Sequence, residues 1–76
     1  MKTLIEHMAQ ALVDHPEQVS VVETDEEDIT SVELRVAPDD LGKVIGRRGR
    51  TAAAMRAILS ASAAKHNRKA VLEIVE

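Results

Sequence analysis

Residues 41–51 of this chain read Leu41-Gly42-Lys43-Val44-Ile45-Gly46-Arg47-Arg48-Gly49-Arg50-Thr51, and this is the most informative stretch of the sequence. Gly46 and Gly49 stand three positions apart with only arginines between them. A tight Gly-x-x-Gly turn brings the backbone close to a ligand because glycine has no Cβ, and its amide groups can face an anion. We therefore expect a phosphate site here, in a turn that joins two helices.

The helix before this turn is predicted to be short. Pro38-Asp39-Asp40 is typical of a helix start, because proline is compatible with the first turn and carboxylates are favourable at a helix N-terminus. Its apolar residues, which should face the core, are Leu41, Val44 and Ile45. Glycine inside such a short helix costs about 1 kcal/mol relative to alanine, so Gly42 indicates a close approach of protein backbone or nucleic acid.

The helix after the turn is predicted from Thr51 to about Lys65. Its large apolar residues are Met55, Ile58 and Leu59, and most of its other positions are small. Asn67 suits the left-handed conformation that ends many helices. We expect Lys65, Arg68 and Lys69 to be cations that are favourable near the C-terminus of this helix.

The rest of the chain predicts one more helix and three strands. Leu4, Ile5, Met8 and Leu12 recur at helical spacing, and Pro16 ends this N-terminal helix. Strands are predicted at 19–24, 31–37 and 70–75, with Val32, Leu34, Val36, Leu72 and Ile74 on the core face. Between the first two strands, Asp25-Glu26-Glu27-Asp28 is predicted as a solvated loop because its like charges repel; a divalent-cation site is the alternative.

This order of elements predicts a two-layer α+β sandwich formed by one domain, residues 1–76. The first two strands should pair antiparallel, and the last strand, which returns through two helices, should pair in parallel by a right-handed crossover. The sheet would then be three-stranded and mixed, with helices on one face only. Glu33, Arg35, Val71 and Glu73 would lie on its other face, in water.

Composition narrows the function. The chain has no cysteine and no Phe, Tyr or Trp, so the core must be aliphatic and bases cannot stack on these rings. Net charge is −3, but residues 1–40 carry −9 and residues 41–76 carry +6, which favours a local site for a polyanion. No segment is typical of a membrane span or signal peptide, so we expect a cytoplasmic protein.

The glycine turn has three other interpretations. A Walker A loop needs a glycine where this chain has Val44, and a lysine where it has Arg50. A dinucleotide fingerprint needs another glycine spacing and a preceding strand. A plain helical hairpin with solvated arginines explains the turn but not Gly42. The scattered His7, His15 and His66 have no ligand or nucleophile partner, so we predict no metal, cofactor, catalytic residue or enzyme.

The stretch from Gly42 to Gly49 resembles the signature of the K homology (KH) domain, which binds single-stranded nucleic acid. The element order is similar to the bacterial type II form, and the resemblance covers the whole chain, including Glu33-Leu34-Arg35-Val36-Ala37-Pro38 before the motif and Leu72-Glu73-Ile74-Val75-Glu76 at the end. It is closest to small, single-domain bacterial RNA-binding proteins. The resemblance implies RNA binding as a chaperone or post-transcriptional regulator, without a small-molecule substrate.

The resemblance also implies which residues contact RNA. The Gly-x-x-Gly loop of KH domains clamps the backbone of about four nucleotides. The implied RNA-binding residues are Gly42, Lys43, Val44, Gly46, Arg47, Arg48, Gly49, Arg50 and Arg56. Bases would lie in a groove between the helices and the adjacent strand, where Val44 and Val36 are either apolar contacts or plain core. Many KH domains have a bulky aliphatic residue at Ala52, so this groove should be shallow.

Two kinds of partner are predicted. Single-stranded RNA is the first, with weak, salt-sensitive and loosely specific binding. The alternative function is a protein-interaction module, since Ala53, Ala57, Ala61 and Ala64 permit close packing of the long helix. The resemblance implies a homodimer and pairing with a larger RNA-binding protein.

Overall fold

The computed structural model of the chain describes residues 1–75; Glu76, which was counted in the charge and in the C-terminal motif, lies outside them. The helices are α1 (Lys2–Leu12), α2 (Leu41–Ile45) and α3 (Arg50–Ala64). The strands are β1 (Ser20–Glu26), β2 (Ile29–Arg35) and β3 (Lys69–Val75). Short 3-10 turns lie at Pro16–Gln18, Pro38–Asp40 and Arg47–Gly49. The predicted α+β order is confirmed.

The sheet is mixed and has β2 at its centre. β1 pairs antiparallel with β2, and β2 pairs parallel with β3, as predicted. Val32 lies opposite Glu23 on one side and Leu72 on the other, so the register aligns the buried residues of β2 and β3. The helices cover the face that carries Val32 and Leu34, and the other face stays open to water.

The core is aliphatic, as the composition requires. β2 buries alternate residues, β1 and β3 bury one residue each, and each helix contributes residues from one side. The buried cluster consists of Ile5, Ala9, Val21, Val32, Leu34, Val36, Val44, Met55, Leu59 and Leu72. Because α3 buries positions 52, 55, 59 and 63, its small and large residues interlock along the sheet.

The predicted inward position of Ile45 is wrong, and Ile58, one of the three large apolar residues of α3, is exposed as well. The side chain of Ile45 is 38% exposed and that of Ile58 is 46% exposed. Successive residues of a helix are 100° apart, and Val44 and Leu59 already occupy the core direction. Their neighbours Ile45 and Ile58 are therefore rotated towards solvent.

The acidic loop is shorter than predicted. β1 continues to Glu26, β2 begins at Ile29, and only Glu27 and Asp28 form the turn. Glu27 has a φ of 48°, the left-handed conformation that a two-residue antiparallel turn requires. Among residues 1–75, no three His, Asp or Glu side chains converge as they would to hold a metal ion.

No helix in the same range is both long and apolar enough to cross a bilayer.

Candidate nucleic-acid interface

Gly46 begins the turn between α2 and α3 in a conformation that only glycine adopts easily. Its φ is 76° and its ψ is 172°, a region that is essentially restricted to glycine. A Cβ on Gly46 would overlap the Thr51 hydroxyl and would lie 2.7 Å from Thr51 Cβ and 2.9 Å from Thr51 N. Two independent causes, backbone angle and contact with α3, therefore require glycine here.

Two further left-handed residues complete the turn. Gly49 has φ 73° and ψ 14°, and Arg48 has φ 57° and ψ 26°. The left-handed Arg48 was not predicted, because its conformation is unusual for a residue with a long side chain. It follows from the reversal of chain direction between α2 and α3. Strain of this kind is often found where a loop binds a ligand.

The amides of the two glycines are committed to the turn itself. Gly46 N–H donates to Gly42 O at 2.9 Å, and Gly49 N–H donates to Gly46 O at 3.0 Å. Arg50 N–H donates to Arg47 O. The N–H groups of Gly46, Gly49 and Arg50 therefore stabilise the turn. The expectation that amides of this loop face an anion stays a prediction for Arg47 and Arg48.

The arginine side chains of the turn are held out in solvent. Arg47, Arg48 and Arg50 are all exposed. Among residues 1–75, none of their guanidinium groups has a carboxylate partner or a hydrogen-bonded acceptor. The turn thus presents three unpaired positive charges within four residues, and the phosphate backbone of a nucleic acid is a ligand suited to them.

Lys43 differs from the arginines because its charge is already paired. Its Nζ lies 3.0 Å from Asp14 Oδ2 and 3.7 Å from Asp40 Oδ1. The pKa of Lys43 is raised, first by the hydrogen bond from Nζ to Asp14 and then by the charge of that carboxylate. A phosphate that approaches Lys43 therefore has to compete with an existing partner.

Asp40 is the buried member of this group. Its carboxylate accepts the N–H of Asp14 at 3.2 Å and the N–H of His15 at 3.0 Å, which ties the α1–β1 connection to the start of α2. Burial acts to raise the pKa of Asp40, but the two N–H donors and the neighbouring charges outweigh burial and lower this pKa. The helix-start motif predicted a carboxylate here but not these long-range partners.

A groove beside Arg56 lies between α3 and β3. It has a volume of about 210 Å³, and Leu59, Ser60, Ala70, Val71 and Leu72 line it with Arg56. Arg56 Nη2 lies 3.5 Å from Leu72 O, a long hydrogen bond that directs the side chain across this groove.

Three residues expected at the groove wall are buried instead. The side chains of Val36, Val44 and Ala52 belong to the core. Of the two alternatives for Val36 and Val44, plain core is therefore correct for their side chains. The small side chain of Ala52 does not make the exposed wall shallower, because this position does not lie on it.

The family of this chain can now be stated. A family model described as "KhpA/KhpB, KH domain" matches residues 2–74. The chain belongs to this family. The type II KH fold that the Gly-x-x-Gly stretch indicated is confirmed, both by this match and by the order of helices and strands.

Several curated relatives of the chain are named "RNA-binding protein KhpA". The one from Halalkalibacterium halodurans is 53% identical over 76 residues, which cover all of both chains. The one from Clostridium acetobutylicum is 48% identical over 99% of this chain and all of the relative. The one from Aquifex aeolicus is 46% identical over all of this chain and 96% of the relative. No solved structure matches the chain.

A larger depression, of about 830 Å³, lies at the β1–β2 turn and not at the KH loop. Glu26, Glu27 and Asp28 line it, together with Lys69. Three carboxylates repel a phosphate backbone, so the size of this depression does not make it the candidate site for a nucleic acid. The smaller groove and the arginine turn fit that ligand better.

Proposed function

We propose that this chain is a non-catalytic protein that binds single-stranded RNA in the cytoplasm as an RNA chaperone or post-transcriptional regulator. The observation that carries the proposal is the group of three unpaired arginines on a turn whose geometry requires Gly46. Membership of the KhpA/KhpB family and the printed names of the relatives support the same ligand.

In this proposal, Arg47, Arg48 and Arg50 contact the phosphates of about four nucleotides. Gly46 and Gly49 hold the turn that presents these side chains. At Gly42 a Cβ would meet no atom within 4 Å other than those of its own helix backbone and chain neighbours, so the RNA backbone has room to approach there. Lys43 contacts a phosphate only when the phosphate competes with Asp14 and Asp40, which already hold its ammonium.

The bases would enter the groove between α3 and β3, with Arg56 at its side. The groove is lined by aliphatic, serine and backbone surfaces, and no aromatic residue exists in the chain to stack on a base. Aromatic stacking contributes roughly 1–3 kcal/mol per base where it occurs. Binding should therefore depend mainly on the phosphate backbone and should discriminate weakly between bases.

The test is a charge reversal at the turn with a matched control. The variant Arg47→Asp/Arg48→Asp changes two exposed bases at the proposed site, and Lys65→Asp/Lys69→Asp changes two exposed bases near the far end of α3. The turn variant should bind a short single-stranded RNA at least about tenfold more weakly, and the control should lose much less. Fluorescence anisotropy measures the affinity, and circular dichroism checks the fold.

The salt dependence of RNA affinity gives a second test of the same site. Four neutralised phosphates on a single strand predict a slope of log K against log salt of about −3, and loss of two contacts should reduce its magnitude by about 1.4. Equal losses in both variants would mean that net charge, and not the glycine turn, governs binding. Unchanged affinity in the turn variant would remove the proposal.

A second proposal concerns protein partners. α3 exposes Ala53, Ala57, Ala61 and Ala64, and Ile58 adds an exposed aliphatic side chain to the same helix. We propose that this surface mediates a homodimer and, in the cell, pairing with a larger KhpB-type RNA-binding protein. Small residues let two helices approach closely, and an exposed isoleucine gains free energy when it is buried. The two functions are compatible, because α3 carries this surface while the arginine turn precedes it.

A further inference from the structure

We propose that Asp14 is an intramolecular competitor of RNA phosphate for Lys43, so that the connection between α1 and β1 limits the affinity of the arginine turn for RNA. This inference rests on the proposed function and adds a residue that tunes it. It also assigns a role to an acidic residue that belongs to the N-terminal, acid-rich half of the chain.

The basic residues around the turn differ in whether their charges are paired. Lys43 precedes Gly46 by three residues, yet its Nζ lies 3.0 Å from Asp14 Oδ2. The neighbouring Arg47 and Arg50 have no such partner within residues 1–75. A carboxylate oxygen at 3.0 Å occupies the position that a phosphate oxygen would need in order to contact this ammonium. Lys43 is the paired cation of an otherwise unpaired group.

The two carboxylates near Lys43 have different roles. Asp40 is 1% exposed and is held by backbone N–H groups, so RNA cannot replace it. Asp14 is 69% exposed, and its carboxylate pairs with the ammonium of Lys43. By accepting the N–H of Asp14, Asp40 fixes the backbone from which the Asp14 side chain reaches Lys43. Asp40 is thus a positioning residue, and Asp14 is the group that competes.

The size of the effect follows from the exposure of the pair. Exposed ion pairs are weak, so a phosphate can displace Asp14 from Lys43. The loss of this ion pair reduces the binding free energy that the contact between Lys43 and RNA contributes. The displaced carboxylate also stays near the RNA backbone and repels it. Removing the charge of Asp14 should free one cation and remove one nearby anion. Lys43 would then add about one phosphate contact to the interface.

The test compares Asp14→Asn with Asp39→Asn. Each variant removes one exposed negative charge, but Asp39 has no contact with Lys43. Asp14→Asn should bind single-stranded RNA about threefold more tightly, with a slope of log K against log salt that is steeper by about 0.7. Asp39→Asn should leave the slope unchanged. Equal affinities and slopes for the two variants would overturn the inference.

A double-mutant cycle with Lys43→Met assigns the effect to the pair. Lys43→Met alone removes the cation of the pair and gives the affinity against which the second substitution is measured. In the Lys43→Met background, Asp14→Asn should give no more than the Asp39→Asn effect. A gain that persists without Lys43 would show that Asp14 acts through the general field and would contradict the proposal.

The outcomes also separate this inference from the proposed function. If Arg47→Asp/Arg48→Asp binds RNA as well as the wild type does, the RNA site lies elsewhere and both proposals fall. If the arginines prove essential while Asp14→Asn behaves like Asp39→Asn, the RNA site stands and only the competition is wrong. Nζ titration of Lys43 by NMR gives a reading without RNA: its pKa should be lower in Asp14→Asn than in the wild type, and an unchanged value would count against the pair.

Discussion

The three glycines of this chain, Gly42, Gly46 and Gly49, lie in one stretch, and the fold constrains them to different degrees. Gly46 needs both an unusual backbone angle and an empty Cβ position. Gly49 needs only the left-handed angle, since a Cβ there would meet no atom within 4 Å. Gly42 needs neither within the protein. At the scale of single residues, the motif therefore contains two glycines that its backbone conformation requires and one, Gly42, that the fold does not require.

Gly46→Ala should destabilise the protein more than Gly49→Ala. The unusual backbone angle alone costs about 1–3 kcal/mol, and the overlap with Thr51 adds to it. Urea unfolding followed by circular dichroism measures the difference. Thr51→Ala should not rescue Gly46→Ala, because Thr51 Cβ and N, at 2.7 and 2.9 Å from the new Cβ, both remain. A rescue by Thr51→Ala would show that the hydroxyl alone requires glycine.

Gly42→Ala, in contrast, should stabilise the protein. Alanine fits without a clash and reduces the freedom of the unfolded chain, so the free energy of unfolding should rise by about 0.5–1 kcal/mol. Affinity for RNA should fall if the RNA backbone uses the open space at this position. A more stable variant with undiminished RNA affinity would contradict the role proposed for Gly42.

At the scale of elements, Arg68 joins the end of α3 to the turn between β1 and β2. Its Nε donates to Thr30 Oγ1 at 2.8 Å, and its Nη1 donates to Glu27 O at 2.8 Å. Its Nη2 contacts Ile29 O at 3.0 Å and Asp25 Oδ1 at 3.3 Å. Arg68 was expected to act as a cation near the helix C-terminus. Instead, its planar fork of donors holds four acceptors of a distant hairpin.

Removing this fork should loosen the hairpin. Arg68→Met should lower the free energy of unfolding by about 1–3 kcal/mol, because several charge-assisted hydrogen bonds are lost. Lys69→Met, next in the chain and exposed, is the control and should change it by less than about 0.5 kcal/mol. Arg68→Lys should recover only part of the loss, because one ammonium cannot reach four acceptors. Full recovery by lysine would indicate that charge alone matters.

At the scale of the whole molecule, the small size of the chain means that self-association would add stability. A chain of about this length buries only about 60% of its unfolded surface, so additional burial between two copies contributes stability that one core cannot. α3 is the element that covers the sheet with one stripe and leaves its alanine positions and Ile58 in solvent. The same helix is thus half core and half candidate interface.

Ile58→Asp should convert a dimer into a monomer without unfolding the chain. Ile58 is 46% exposed, so its replacement removes little of the core but places a charge in the proposed interface. Light scattering after size exclusion measures the mass. Val22→Asp, an exposed position on the open face of the sheet, is the control and should leave the dimer intact. A wild-type chain that is monomeric at high concentration would remove this proposal.

Several parts of the fold could be predicted because they depend on local signals. The alternation of Val32 and Leu34 predicted the buried face of β2. Asn67 has the left-handed conformation expected of it, with a φ of 58°, in the turn that follows α3. The depth of Ile45 and Ile58 could not be predicted. Hydrophobicity alone does not tell which apolar residues of a helix lie on the stripe that its neighbours cover.

Local signals were sufficient to predict the order of elements, the aliphatic core and the place of the glycine turn, because propensity, alternation and glycine spacing act between near neighbours. The pairing of charges depends on the folded structure. Lys43 and Arg68 find partners 29 and up to 43 residues away along the chain, whereas Arg47, Arg48 and Arg50 find none within residues 1–75. Charges pair according to distance in space, and distance in space is a property of the folded molecule.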